Sequence, residues 1–234
     1  MAQPGTVWLI PCYLSETSMD CLPAYILPAI QQCAVFFTEN ERTARRYLKK
    51  WWKEMVIDHY EWHTIGQAEA GTLAVFRQRL KEGKTIGILS EAGCPGVADP
   101  GQLLVAAAQE LSAPVKPLVG PSSLLLALMA SGMNGQQFRF LGYLPIEAGK
   151  RNAAIKELEA DSLRTHSTQI FIETPYRNRQ LFETLLQQCR GNTRLCVAVN
   201  LTAPDELVQT KTIADWKKQQ PDWQKKPAIF LLQA

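Results

Sequence analysis

From residue 6 to residue 118, short apolar runs alternate with amphipathic stretches of helical length, and that alternation points to a parallel sheet wrapped by helices. The spacing predicts strands over residues 6–10, 34–38, 55–58, 85–89 and 114–118. Helices are predicted between them over 23–32, 41–53, 67–81 and 102–111, the third closed by Gly83 as a C-cap. After residue 118 the texture changes. An apolar helix over 124–131 stops at Gly132, helices follow over 150–159 and 178–189, and strands over 138–144, 169–173, 195–201, 206–210 and 227–232. The late strands are close enough in sequence to pair antiparallel. We therefore expect an α/β chain of two domains: residues 1–118 with a parallel sheet and a basic helix, and residues 119–234 with a mixed sheet.

Composition narrows the classes. A chain of 234 residues that is 46% hydrophobic can bury a substantial core. Its apolar runs, such as 124–130, are too short to span a membrane. Met1 to Gly5 leads into a strand without a charged start or cleavage pattern, so no secretory leader is expected and the cytoplasm is the default. Six cysteines without a CxxC pair or a histidine at ligand spacing indicate neither a metal site nor a disulfide framework. A net charge of +3 is too small to signal nucleic acid unless the cations cluster.

Four stretches can carry chemistry. In 84–101, KTIGILSEAGCPGVADPG, a buried strand breaks at Ser90 into a loop with three glycines and two prolines, where backbone can approach a ligand. Asp99 and Pro100 read there as an N-cap and a first helical residue; the loop is either a binding loop or a tight connection. Gly120-Pro121-Ser122-Ser123 brings hydroxyls and free amides to a helix start, as an anion site or as ordinary capping. Glu173 ends a strand in FIETPYR, as a base, an adenosine partner or half of an ion pair with Arg177. Arg42, Arg45, Arg46, Lys49, Lys50 and Lys53 recur at helical spacing beside Trp51 and Trp52, a stripe suited to RNA phosphates or to solvent. Neither GxxxxGK[ST] nor GxGxxG is present, which removes the usual cradle of kinases and Rossmann dehydrogenases. His63 is a lone histidine, read as a core or surface residue.

Together these motifs resemble the tetrapyrrole methylase superfamily of S-adenosylmethionine-dependent methyltransferases, and within it the branch that methylates a cytidine 2′-hydroxyl in small-subunit ribosomal RNA. LSEAGCPGVADPG at 89–101 is similar to that branch's (I/V)SDAGTPxxxDPG, VGPSSLLLALMASGM at 119–133 to PGPSALLxALxASGL, FRFLGYLP at 138–145 to FxFxGFLP, and FIETPYR at 171–177 to FYESPHR. The resemblance implies two α/β domains with the cofactor, S-adenosylmethionine, in the cleft between them, and a homodimer. Carried over, donor contacts fall on Ser90, Glu91, Gly93, Cys94 and Pro95, on Ser122 and Ser123, on Ile172 and Glu173, and on Pro227 and Ala228.

The first loop, TPIGNLxD in that branch, is here PCYLSE at 11–16; EDTR becomes ENER at 39–42, and REL(T/S)K becomes VNLTA at 199–203. The donor loops are thus kept more closely than the segments where an acceptor would be recognised. The leading expectation is methyl transfer to an RNA ribose, with Glu173 and Glu41 as candidate bases and Arg42, Arg45, Arg46 and Lys49 on phosphate. C-methylation of a tetrapyrrole or other small acceptor, and a donor-binding module without transfer, are the alternatives.

Overall fold

The computed structural model describes residues 3–66, 69–219, 221, 223 and 225–234. Met1, and Gln67 at the expected start of the third helix, lie outside them. The chain divides into two compact units, Met1–Ser122 and Ser123–Ala234.

In the first unit, β1 (Val7–Ile10), β2 (Val35–Thr38), β3 (Glu61–Thr64), β4 (Ile86–Leu89) and β5 (Val115–Pro117) form a sheet in the order β3-β2-β4-β1-β5. Every pairing in it is parallel. The connecting helices are α1 (Ile26–Gln32), α2 (Glu41–Trp51), α3 (Glu69–Lys81) and α4 (Gln102–Glu110). Strand residues alternate between two cores, because side chains on a pleated strand point to opposite faces. Ile10, Phe36 and Leu89 pack with α1 and α2, while Val7, Phe37 and Ile88 pack with α3 and α4.

The expected strand over 55–58 is not one. Residues Ile57–His59 form a 3-10 turn, and the strand is Glu61–Thr64, paired to β2 from Val35↔Glu61 to Thr38↔Thr64. Its sequence, EWHT, lacks an apolar run because it lies at the sheet edge and is held by rings and charge instead. Trp62 stacks on Phe36 and His63 on Phe37, each at 4.8 Å between ring centroids. Glu61 is bound by His63 at 2.6 Å and by Arg79 at 2.7 Å, which accounts for that histidine.

The second unit contains α5 (Ser123–Ser131), β6 (Phe138–Tyr143), α6 (Ala148–Thr165), β7 (Thr168–Glu173), α7 (Asn178–Gln188), β8 (Arg194–Val199), β9 (Leu207–Thr212), α8 (Ile213–Trp216) and β10 (Ala228–Gln233). The sheet order is β6-β7-β10-β8-β9, with β6 and β7 parallel and the remaining pairs antiparallel, a mixed sheet as expected. Helix α6 runs six residues beyond its expected end, from 159 to Thr165, and is stopped by His166 in the left-handed region. The short α8 has no counterpart in the sequence reading. It buries Trp216 completely, with the indole N–H donating to Leu195 O at 2.8 Å.

Candidate active site

The parallel sheet places the ends of β1, β4 and β5 side by side, with β4 inserted between β1 and β2. Loops leaving the carboxyl ends of such strands are where open α/β sheets hold ligands. Here they touch. Cys12 N–H donates to Gly93 O at 2.8 Å and Gly93 N–H returns a bond to Cys12 O at 3.1 Å, an isolated bridge outside the sheet. Gly93 has φ +70°, and a β-carbon there would lie 3.3 Å from Pro121 O and 3.4 Å from Leu14 Cδ2. The Cys94 thiol lies 3.7 Å from Gly120 O and 3.5 Å from Pro121 O. Gly120 is closer still to the first loop, since an added β-carbon would sit 2.1 Å from Pro11 Cβ. Two glycine- and proline-shaped turns therefore meet, and both lie inside the first unit.

Surrounding groups hold these turns in place. The Tyr47 hydroxyl donates to Pro11 O, and the Val119 N–H donates to the Tyr25 hydroxyl at 2.6 Å. The Cys12 thiol donates to Ser90 O at 3.0 Å, and burial drives its pKa well above the ordinary thiol range. Burial, and then Asp99, also raise the Cys94 thiol. Thiols held protonated are poor nucleophiles, so this loop can orient a ligand but is unsuited to attack one.

Acidic groups collect at the outer side of the loop. Glu91 N–H donates to Glu39 Oε2 at 3.2 Å, and Thr43 Oγ1 donates to Glu91 Oε1 at 2.9 Å. Asp99 is not the expected N-cap. Helix α4 starts at Gln102, and its N-cap is Gly101 with φ +123°, a conformation open to glycine, so no side chain caps the helix. Asp99 is displaced into the preceding turn, where burial, Glu39 and Glu91 raise its carboxyl to about 6, partly offset by Ser90. A carboxyl raised in the folded state weakens folding as pH climbs from its unfolded value of 3.8 through about 6, because the native state then holds the extra proton. Asp99→Asn is expected to flatten that decline and to leave the variant more stable than the parent at pH 7; denaturant midpoints from pH 4 to 8 measure it. Sequence reasoning missed this residue because its DPG setting also fits a cap.

The remaining expected residues divide by location. Ser122 follows the Gly120-Pro121 turn, and Ser123 is the first residue of α5. In the second unit Ala228 pairs with Glu173 and Ile229 with Ile172, so 172–173 and 227–228 share one sheet end. Glu173 is half of an ion pair. Its Oε1 accepts from Arg177 Nε at 2.9 Å and from Arg177 NH2 at 2.7 Å, and from Thr174 N–H at 2.6 Å. Glu41, the first residue of α2, binds Arg45 at 2.8 Å through Oε2 and accepts from Thr64 Oγ1 at 3.3 Å through Oε1.

On α2, Asn40 caps the helix by accepting from Arg42 N–H and Thr43 N–H. Arg45 is occupied by Glu41 and lies 5.0 Å over the Trp62 ring, while Lys50 sits 4.5 Å over Tyr13. Lys49 donates to Lys53 O at 2.7 Å. Arg42 and Arg46, exposed and one turn apart, have no ion pair among the described residues. Among the described residues no cluster of His, Cys, Asp or Glu could hold a metal. All six cysteines are free, and four are buried.

Residues 19–216 match the family profile described as Tetrapyrrole (Corrin/Porphyrin) Methylases. The chain belongs to that family. It is 32% identical over 205 residues to a protein named ribosomal RNA small subunit methyltransferase I from Micromonospora olivasterospora, covering 88% of this chain and 62% of that one. With the protein of the same name from Mesorhizobium japonicum the identity is 30% over 204 residues, 86% of this chain and 67% of the relative. The chain thus spans about three-fifths to two-thirds of the length of these relatives. The fold is shared with a crystal structure of the methyltransferase CobJ, at a TM-score of 0.64 and 16% identity over 98% of this chain and 94% of that one.

Proposed function

We propose that this methylase-family chain transfers a methyl group from S-adenosylmethionine to a ribose 2′-hydroxyl of small-subunit ribosomal RNA. The observation that carries the reading is the main-chain cradle at Gly93, tied to Cys12 by two hydrogen bonds and walled by Pro121 O. Methyl transfer from a sulfonium is a displacement that needs orientation and shielding from water more than a protein nucleophile. Backbone and protonated thiols provide that setting. Main chain at Ser90, Glu91, Gly93, Cys94 and Pro95, with Ser122 and Ser123, is proposed to contact the donor, as are Ile172, Glu173, Pro227 and Ala228. Titration calorimetry with S-adenosylmethionine and S-adenosylhomocysteine tests this step, and absence of binding by either removes the proposal.

The names borne by the relatives support RNA as the acceptor. Labelled donor offered to small ribosomal subunits and, separately, to a precursor tetrapyrrole decides the matter: label in the tetrapyrrole alone would overturn the RNA assignment. For the base we retain Glu41, whose Oε1 is engaged among the described residues by the 3.3 Å bond from Thr64, and assign Glu173 to holding Arg177. Glu41→Gln is expected to lower the rate of transfer by about 10²–10⁴-fold with donor affinity unchanged. An unaltered rate would exclude Glu41.

The exposed cations of α2 are proposed to meet phosphate, chiefly Arg42, Arg46 and Lys49, with Arg45 held back by Glu41 and Trp62. Replacing Arg42, Arg46 and Lys49 with glutamate should weaken RNA binding and lower the slope of log K against log salt by about 1 for each phosphate that is no longer neutralised. Filter binding at several salt concentrations reads both; an unchanged slope would return this face to solvent. We further propose a cytoplasmic homodimer, which sedimentation equilibrium tests. No helix among the described residues is long and apolar enough to cross a membrane.

A further inference from the structure

A cavity of about 340 Å³ opens beside the cradle loop, on the α3 and α4 side of the first sheet. Its lining includes Ile65, Thr72, Leu73, Asp99, Leu103 and Leu104. The size is at the lower end of small-molecule sites, about 300–1,000 Å³, so it suits one flat group better than a stack of them. The aliphatic side chains give it apolar walls. Asp99 supplies a carboxyl, and the first residues of α4, a helix that starts without a side-chain cap, line the same hollow. The wall is braced: Ile65 N–H donates to Thr38 O at 2.8 Å, and Thr72 Oγ1 donates to Thr64 O at 3.4 Å. Thr64 in turn donates to Glu41 at the first residue of α2, so the cationic helix starts next to this wall.

We propose that this cavity receives one nucleobase of the RNA, drawn from its stack, and selects a base with an exocyclic amino group through Asp99. The amino group donates to the Asp99 carboxyl, as a cytosine amino group does to an acidic side chain elsewhere. A neighbouring ring nitrogen or carbonyl accepts from the α4 amides, and the ring packs against the aliphatic walls. Enzymes that act on extruded nucleotides commonly combine such edge contacts with flanking apolar surfaces. The inference rests on the RNA reading above and adds to it the residue that distinguishes bases.

The test uses the full chain with S-adenosylhomocysteine and short single-stranded ribo-oligonucleotides that carry cytidine or uridine at one position. Calorimetry on the parent protein, Asp99→Asn and Leu103→Trp gives oligonucleotide affinity, and the same runs give donor affinity. The parent should prefer the cytidine oligonucleotide by about tenfold. Asp99→Asn should bring that ratio near one, and Leu103→Trp, which fills the cavity, should weaken both oligonucleotides about tenfold while donor affinity holds. A parent without preference, a preference that survives Asp99→Asn, or unaltered binding by Leu103→Trp overturns the proposal. Failure of the donor to bind the parent would instead count against the methyl-transfer reading, so the two failures are separate.

Discussion

Gly120→Ala is expected to abolish measurable donor binding and to cost about 2–3 kcal/mol of stability. The new β-carbon would stand 2.1 Å from Pro11 Cβ and 2.6 Å from Pro11 Cγ. That residue cannot yield easily. Pro11 has a ring-locked φ, its carbonyl is bound by Tyr47, and the next residue is bridged to Gly93. Overpacking a well-filled site costs about 1–3 kcal/mol, and here the turn must also lift away from Gly93. Calorimetry with S-adenosylhomocysteine and a denaturant midpoint measure the two effects. If the variant binds the donor with parental affinity, the meeting of these turns has no part in holding it.

Arg177→Ala should destabilise the second unit by about 2–3 kcal/mol. The Glu173 side chain is only 2% exposed, and the substitution leaves it with Thr174 N–H as its described partner. Losing one member of a buried pair costs about 3–5 kcal/mol, and the figure is reduced here because the arginine side chain is 31% exposed. A double variant, Glu173→Leu with Arg177→Met, should recover most of the loss, since an apolar replacement leaves no unpaired charge. Thermal or denaturant unfolding of the three proteins checks this. Were Glu173 the base, Glu173→Gln would abolish transfer with stability intact; the ion-pair assignment predicts a fall in stability and residual transfer.

Much of this architecture was legible in the chain because it rests on local periodicity. The runs at 6–10, 34–38 and 85–89 are apolar on successive residues, as strands covered on both faces must be, and each lies within one residue of its structural counterpart. The third strand lies beyond the apolar residues 55–58 because an edge strand needs no such run; Trp62 and His63 find their partners across space, on Phe36 and Phe37. Asp99 departs from the expected cap for a related reason. A cap and a cavity-lining carboxyl have the same local sequence, and only the turn at Gly101 separates them.

The site divides along the same line. Glycine and proline content marked residues 90–101 and 120–123 as turns, because backbone permission is a property of the residue itself. Their meeting through Cys12, the place of Arg45 over the Trp62 ring, and the effect of Glu39 on Asp99 depend on residues distant in the chain, whereas Arg45 and Glu173 pair with residues only four positions away. The amino-acid order alone determined the strand-helix alternation and the two permissive turns, since each follows from neighbours a few residues apart. Which loops meet, and how deeply Asp99 and the thiols beside it are buried, was decided only in the folded molecule, because burial and long-range contact act between atoms that the sheet, and not the sequence, makes adjacent.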